Sequence, residues 1–428
     1  MYDLTIIGAG WAGFNAAVRA KALGMKVALV EESFIGGTCL NQGCIPTKTL
    51  FQSAKIFEEI KKAGNFGISI NVEPKLNFLE VISRKDRIIQ QLRKGMENRL
   101  AGVEYICGHA RFLDNQRVKV DDREIQSSKI LLSLGSQPFE LPGFTFDGKK
   151  IISSDQILKL DKIPSSLLII GGGVIGCEFA QIFSSFGTKV TVVELMDQLL
   201  PGVDREIAKK LETVLKKKRI SVLTSTDAKT IDLNNFELVL VCVGRSPRVE
   251  GLDSLGIATN KSGIVVDDYL RTSVDNVYAA GDCTGKLMLA HYASFQGVCA
   301  VENIKTPDAP RKAENNVVPA CIFTSPEIAF AGLNEEQAKK KNFQVKVNKF
   351  DFLGSGMARI QDEAEGFVKI VSDAESGLLL GAQLIGPKAT ELISIFGVSL
   401  SSGLTVKNLK NTIFAHPSLS EAIFEALD

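Results

Sequence analysis

The sequence predicts an α/β protein of several domains. Two short apolar strands, one at Tyr2 and one at Leu167, are each followed by a glycine-rich turn and a helical pattern, and 428 residues exceed what one hydrophobic core usually holds. Hydrophobic residues make up 45% and charged residues 23%, with a formal net charge of +1. This composition is typical of an ordinary soluble protein, and it offers no basic field to nucleic acid.

The first of these segments reads as a βαβ unit. A strand runs from Tyr2 to Ile7, a helix ends near Leu23, and a second strand ends at Glu31. The glycines of its turn, GAGWAG, are Gly8, Gly10 and Gly13. Such glycines let a pyrophosphate approach the amides of a helix N-terminus, and the acid at the strand end accepts hydrogen bonds from a ribose. The segment therefore predicts a Rossmann-type dinucleotide site.

The pattern is repeated from Leu167, with a helix to about Phe186 and a strand that ends at Glu194. The glycines of this second turn are Gly171, Gly173 and Gly176. In both copies the acid follows the first glycine by 23 residues, and two matched copies are much stronger support than one. Glu194 would repel a 2′-phosphate and no arginine follows it closely, so we expect this site to prefer NAD to NADP.

A pair of cysteines lies between the two fingerprints. Cys39 and Cys44, in GGTCLNQGCIPTK, are five residues apart and can close into a disulfide across a short turn. A structural disulfide or half of a zinc site are the alternatives, but none of the three histidines is near the motif in sequence, and we expect no metal site. The other cysteines are scattered singly and are predicted to be buried bystanders.

Two nucleotide sites and a dithiol predict an electron path between a nicotinamide and sulfur. Nicotinamide moves hydride whereas a thiolate attacks as a nucleophile, and flavin is a cofactor that converts between the two. With these features the chain resembles the pyridine nucleotide-disulfide oxidoreductase family over essentially its whole length. Further motifs that carry the resemblance are SLGSQP at Ser133, VGRSP at Val243, AAGDC at Ala279, LAHYASFQG at Leu289, FTSPEIAFAGL at Phe323 and AHPSLSEA at Ala415.

The resemblance implies that the first fingerprint holds FAD, with Glu31 on its ribose, and that the second holds NAD. It places Asp282 at the ribityl and phosphate region of FAD. The other cofactor contacts that it implies are Gly37, Thr38, Lys48, Gly135 and Gly244.

The resemblance also assigns roles around the thiols. It places Cys44 against the flavin, makes Cys39 the thiol that exchanges with substrate, and puts Lys48 near the flavin in a pair with Glu178. Without the resemblance, Lys48 would be interpreted as a solvated helix lysine and Glu178 as a surface acid.

His416 is implied to be the acid/base for the substrate thiol, held in orientation by Glu421. Two alternatives stay open from the residues alone: a histidine before proline can simply end a loop, and Ser418 to Glu421 has the spacing of a capping box. In the family this segment reaches the disulfide of the other subunit. The resemblance therefore implies an obligate homodimer with a shared active site.

The activity that the resemblance implies is oxidation of dihydrolipoamide to lipoamide with reduction of NAD⁺. The lipoyl group would arrive free or on a lipoyl-domain protein of a multienzyme complex. The alternatives are a flavin reductase that acts on another disulfide or on mercuric ion, and a non-catalytic flavoprotein subunit of a larger assembly.

The first strand begins at Tyr2 and the most apolar stretch is glycine-rich and interrupted by Glu178, so we expect a cytoplasmic protein without a membrane span.

We predict an FAD domain over 1–146 with a helical excursion from about 76 to 100, and an NAD domain over 147–262. The chain would return to the FAD domain over 263–315, and an interface domain over 316–428 would carry strands near 344–352, 366–372 and 377–385.

Four departures from the family pattern are a short segment between 220 and 240, Leu134 for threonine, Val174 in place of an aromatic gate, and Trp11 where a smaller residue is usual.

Overall fold

The computed structural model describes residues 1–252, 255–313 and 317–428. Its strands are β1 (Tyr2–Ile7), β2 (Val27–Glu31), β3 (Glu104–Cys107), β4 (Ala110–Phe112), β5 (Arg117–Val120), β6 (Arg123–Leu132), β7 (Ser136–Pro138), β8 (Ile151–Ser153), β9 (Ser166–Ile170), β10 (Lys189–Val193), β11 (Ser221–Leu223), β12 (Leu238–Val241), β13 (Arg245–Pro247), β14 (Thr259–Asn260), β15 (Gly263–Ile264), β16 (Val277–Ala279), β17 (Ala320–Ile322), β18 (Glu327–Gly332), β19 (Val345–Asp351), β20 (Phe367–Asp373) and β21 (Leu379–Gly386).

Its α-helices are α1 (Trp11–Ala22), α2 (Gly37–Gln42), α3 (Cys44–Lys61), α4 (Phe78–Arg99), α5 (Val174–Ser185), α6 (Arg205–Lys217), α7 (Ala290–Lys305), α8 (Glu335–Lys340), α9 (Gly356–Ile360), α10 (Ala389–Ser401), α11 (Val406–Lys410) and α12 (Glu421–Glu425). Both βαβ units lie where the sequence predicts them. The predicted excursion from 76 to 100 is α4, which begins after Asn77, whose side chain accepts from the backbone N–H of Glu80.

The first sheet is built around β1. Its strand order is β3-β2-β1-β6-β5-β4, and β16 pairs with β6 in parallel. The strand β2 is buried along its whole length, which its apolar run VALV predicts for a strand covered on both faces. Leu134, which stands where the family pattern has threonine, packs on the core of this sheet together with Ile130.

The second sheet repeats this architecture with order β11-β10-β9-β12-β8, and all its pairs are parallel. Helix α5 packs on it through the fully buried rings of Phe179 and Phe183. Among the described residues, only two short 3₁₀ turns, Ala228–Thr230 and Leu233–Asn235, lie between β11 and β12. These two turns make up the short segment noted in the sequence.

The third sheet is antiparallel, with order β17-β18-β21-β20-β19, and α10 packs on it through Ile393 and Phe396. Its last three strands lie within about two residues of their predicted bounds. The α/β fold class with two Rossmann-like units and a C-terminal α/β domain is confirmed. The predicted domain borders at 146/147 and 262/263 stay predictions, and the border at 315/316 lies outside the described residues.

A membrane span was not expected from the sequence. None of the helices that the structure describes combines the length and apolarity that crossing a membrane requires.

Candidate active site

The first fingerprint forms a cradle at the N-terminus of α1. The Glu31 carboxylate is held beneath the turn, because its Oε2 accepts from the backbone N–H of Ala9 at 2.7 Å and its Oε1 from that of Ser33 at 2.9 Å. A Cβ at Gly13 would lie 1.9 Å from the carbonyl oxygen of Gly8, so helix and turn approach as only glycine permits. No side chain caps α1 at Gly10, which leaves its first amides available to a phosphate.

The second fingerprint has the same construction. Glu194 accepts from the backbone N–H of Gly172 at 2.7 Å and from that of Met196 at 2.8 Å. A Cβ at Gly176 would lie 2.0 Å from the carbonyl oxygen of Gly171, and no side chain caps α5 at Gly173. Both cradles thus fit a dinucleotide, with an uncapped helix N-terminus for the pyrophosphate and a fixed carboxylate for the ribose.

A network of side-chain hydrogen bonds leads from Asp282, which follows β16, toward α2. Asp282 Oδ2 accepts from the hydroxyl of Ser136 at 2.6 Å, and Arg245 Nε donates to the same hydroxyl at 2.9 Å. Arg245 Nη2 donates to Thr38 Oγ1 at 3.5 Å. Ser136 and Arg245 belong to motifs that carry the family resemblance, but no role was predicted for either residue.

Gly135 and Gly244 lie at the start of the short antiparallel pair β7 and β13 that carries these side chains, and both have positive φ, +74° and +121°. A residue with a Cβ would be strained at either position. Each glycine therefore shapes the turn into its own strand, and the pairing of the two strands brings the Ser136 and Arg245 side chains together.

The two cysteines of the motif are neighbours. Cys39 is half-buried in α2, Cys44 is the first residue of α3, and both are free thiols in this structure. A hydrogen bond from Cys39 and the charge of Lys48 lower the pKa of the Cys44 thiol to about 7, against the opposing effect of burial. The same hydrogen bond, with burial, raises the pKa of Cys39. The pair is thus asymmetric, and Cys44 is the better thiolate.

Lys48, one turn into α3, forms an ion pair with Glu178 of α5. Its Nζ lies 2.9 Å and 2.8 Å from the two carboxylate oxygens, and Glu178 is only 3% exposed. The interpretation of Glu178 as a surface acid is therefore wrong. Lys48 also lies 4.8 Å from the centroid of the Phe323 ring, and Glu178 accepts from the backbone N–H of Phe323 at 2.9 Å. The pair thus joins α3, α5 and the segment at Phe323.

One turn along α5, the side chain of Gln181 extends this junction. Its Oε1 accepts from the backbone N–H of Ser325 at 2.6 Å and its Nε2 donates to the carbonyl of Ser325 at 3.1 Å. Gln181 was not predicted from the sequence, although its position three residues after Glu178 places both on one face of the helix.

His416 and Glu421 form a second, separate group. His416 Nδ1 lies 2.7 Å from Glu421 Oε1, and Glu421 Oε2 accepts from the backbone N–H of Ser418 at 2.8 Å. The hydrogen bond from Ser418, followed by that from His416, lowers the pKa of Glu421. Glu421 therefore binds the backbone of Ser418 with one oxygen and His416 with the other. The capping box itself is not formed, because the Ser418 hydroxyl donates to the carbonyl of Ala415 and the N-cap of α12 is Ser420.

The structure does not bring this second group to the thiols. The His416 side chain is 81% exposed, and no hydrogen bond between described residues joins it to Cys39 or Cys44. Within one chain the predicted catalytic side chains therefore form two separate groups. One consists of the cysteine pair with Lys48 and Glu178, and the other consists of His416 and Glu421.

The remaining cysteines and histidines lie elsewhere. Cys107 is exposed at the end of β3 and Cys321 is half-buried, which corrects the prediction that the other cysteines are buried; it holds for Cys177, Cys242, Cys283 and Cys299. His109 contacts Glu32, and His291 contacts the carbonyl of Pro319. Within the described ranges, no cluster of three or more histidine, cysteine or acidic residues is suited to a metal ion.

Comparison with known proteins identifies the family. The family model described as pyridine nucleotide-disulphide oxidoreductase matches residues 2–297, and that of its dimerisation domain matches residues 318–427. The chain belongs to this family. It is accordingly a flavoprotein oxidoreductase that uses FAD and NAD, as the motifs predicted.

Curated members of the family match this chain over nearly its full length. A dihydrolipoyl dehydrogenase of Bacillus subtilis is 38% identical over 99% of this chain and 97% of its own. One from Thermus scotoductus is 38% identical over 100% of this chain and 97% of its own.

Solved structures agree in fold. The HOCl-induced flavoprotein disulfide reductase RclA of Escherichia coli is 30% identical with a TM-score of 0.89, and the match covers 100% of this chain and 99% of RclA. LpdA of Mycobacterium tuberculosis is 27% identical with a TM-score of 0.90, over 99% and 98% of the two chains.

Proposed function

We propose that this enzyme oxidises dihydrolipoamide to lipoamide and reduces NAD⁺. The observation that carries the proposal is the identity of 38% with dihydrolipoyl dehydrogenases over 99–100% of the chain. The asymmetric thiol pair supports it, because a thiol with a low pKa is a good leaving group in disulfide exchange.

The exchange would begin with a disulfide between Cys39 and Cys44. His416 removes a proton from one substrate thiol, whose sulfur attacks Cys39, and Cys44 leaves as a thiolate that Lys48 stabilises. The second substrate thiol then attacks the sulfur bound to Cys39, which closes the lipoyl disulfide and releases Cys39. Bound FAD would take the electron pair from Cys44 as the disulfide between Cys39 and Cys44 re-forms, and would supply it as hydride to NAD⁺.

In this proposal the site is shared between two subunits. The support is that the catalytic groups of one chain are two separate sets and that His416 is highly exposed in the isolated subunit. In a dimer, His416 of one subunit would lie at the cysteine pair of the other. The matched dimerisation domain over residues 318–427 contains His416 and would form this contact.

We further propose that the enzyme prefers NAD to NADP. Glu194 is 8% exposed and both of its oxygens are held by backbone amides, so the carboxylate cannot turn away from a ribose at this site. A 2′-phosphate would meet this negative charge, and the exposed residues that follow, Leu195 and Met196, offer no positive charge to offset it.

The first test is turnover with dihydrolipoamide. We expect NADH to form when the flavin-loaded enzyme is mixed with dihydrolipoamide and NAD⁺, and little NADPH in a parallel reaction with NADP⁺. A Cys44→Ser variant should keep FAD and lose turnover. Full activity of this variant would contradict the thiol mechanism.

A second candidate function is that of a reductase, which transfers electrons from NADH to another acceptor. The observation in its favour is the structural match to RclA, a flavoprotein disulfide reductase that has also been solved as a Cu(II) complex. An enzyme that is silent with dihydrolipoamide should then be tested with NADH and glutathione disulfide, Cu²⁺ or Hg²⁺. A chain that never retains FAD would favour a non-catalytic role.

A further inference from the structure

Trp11 is the single tryptophan of the chain and the first residue of α1. Its side chain is half-buried, but the indole Nε1 is fully buried and makes no hydrogen bond of normal geometry in the part of the chain that the structure describes. Most buried donors in proteins have a partner, because an unpaired one loses its bonds to water without replacement. The indole N–H therefore needs an explanation.

The backbone places Trp11 beside the segment that carries Cys39. Gly10, the N-cap of α1, lies against Gly37, the first residue of α2, so closely that a Cβ on Gly37 would be 2.7 Å from the Gly10 Cα. Asn15 fixes the same turn, since its Nδ2 donates to the carbonyl of Trp11 and to Ser294 Oγ, each at 2.8 Å. The start of α1 is thus held against the helix in which Cys39 follows Gly37 by two residues.

The indole N–H lies close enough to the Cys39 sulfur to favour its thiolate. The hydrogen bond with Cys44 and burial raise the pKa of Cys39, whereas the Trp11 side chain and the charge of Lys48 act in the opposite direction. A neutral thiol is a weak acceptor and a thiolate is a strong one. An N–H that is unpaired beside the thiol can therefore gain a partner when Cys39 ionises.

We propose that Trp11 is a positioning residue for Cys39, whose indole N–H donates to the Cys39 sulfur when that sulfur carries negative charge. The proton stays on the indole and no covalent bond changes. In the exchange reaction Cys39 leaves with the electron pair of its bond to the substrate sulfur, and the indole stabilises it at that moment. The inference rests on the proposed function only in naming Cys39 as the thiol that faces substrate.

The test measures the ionisation of Cys39 directly. In the flavin-loaded Cys44→Ser variant, Cys39 is the one thiol left of the pair, and its alkylation by iodoacetamide can be followed by mass spectrometry of its peptide across pH. We expect Trp11→Phe, added to this variant, to raise the midpoint by about one pH unit, a roughly tenfold lower thiolate fraction at neutral pH. Trp11→Gln, which restores an N–H donor, should recover part of the shift.

An unchanged midpoint in Trp11→Phe would overturn the proposal, and so would equal shifts in the Phe and Gln variants. Loss of FAD from Trp11→Phe with the midpoint unchanged would instead assign the indole to the cofactor. None of these readouts depends on turnover of dihydrolipoamide, so a failure of the proposed function is recognised separately.

A second measurement leaves Trp11 in place. Because the chain has one tryptophan, its emission reports this site alone. We expect the emission of the Cys44→Ser variant to change across the Cys39 midpoint, and to show no such change when Cys39 is also replaced by serine. Emission that is flat in both proteins would overturn the proposal even if the Trp11 variants fail to fold.

Discussion

At Cys44, two charged neighbours act on the thiol in opposite directions. The positive charge of Lys48 lowers the pKa of Cys44, and the negative charge of Glu178 raises it. The two charges form an ion pair at 2.8 Å, and the effect of Lys48 on the pKa of Cys44 is the larger of the two. The thiolate of Cys44 should predominate above pH of about 7 and be lost by protonation below it.

This balance predicts opposite shifts for two variants. Lys48→Met should raise the midpoint for alkylation of Cys44, because it removes the positive charge, whereas Glu178→Gln should lower it while keeping an oxygen to accept from Phe323. Both are best measured in a reduced Cys39→Ser background, where the hydroxyl can still donate to Cys44. Shifts of the same sign in the two variants would contradict this account.

The element that matters most is helix α5, which carries a junction as well as a nucleotide site. Its N-terminus faces the second cradle, and one turn later Glu178 and Gln181 bind Lys48 of α3 and the backbone at Phe323 and Ser325. A nucleotide bound at the start of α5 would therefore contact a helix that is bonded both to α3, which begins at Cys44, and to the segment at Phe323 and Ser325.

Gln181→Ala should destabilise this junction without changing the thiols. It would leave the N–H and carbonyl of Ser325 without their side-chain partner, which costs about 1–3 kcal/mol of the free energy of unfolding. We expect a lower melting temperature and an unchanged Cys44 midpoint. Gln90→Ala, at an exposed glutamine of α4, is the matched control, and an equal effect there would refute the role of Gln181.

The elements themselves were largely predictable, because alternating glycine turns, apolar strands and helical patterns are local signals. Strand β1 has its predicted bounds, Glu31 ends β2 as expected, and Glu194 directly follows the last residue of β10. The junction was not predictable in the same way, because Phe323 and Ser325 meet α5 across more than 140 residues of sequence. Likewise, the sequence marks Trp11 as unusual but cannot show that its N–H is buried without a partner.

For the whole molecule, the proposed sharing of the active site depends on two sets of residues that one chain keeps apart. Glu421 binds His416 and the backbone of Ser418 at once, so the histidine is oriented before any partner arrives. A base that is exposed in one chain and already oriented can work at the thiols of a second chain. His416→Gln homodimers should then lose turnover by about 10²–10⁴-fold, the usual contribution of a general base.

Hybrid dimers test this arrangement. When His416→Gln and Cys39→Ser chains are co-expressed with different tags and the mixed dimer is purified, one of its two sites combines the intact thiols of the first chain with the intact His416 of the second. That dimer should regain about half the activity of the unaltered enzyme, although both parent homodimers are nearly inactive, because shared sites restore one complete set. If each subunit instead built its own site, both sites of the hybrid would carry a defect and the hybrid would be as inactive as its parents.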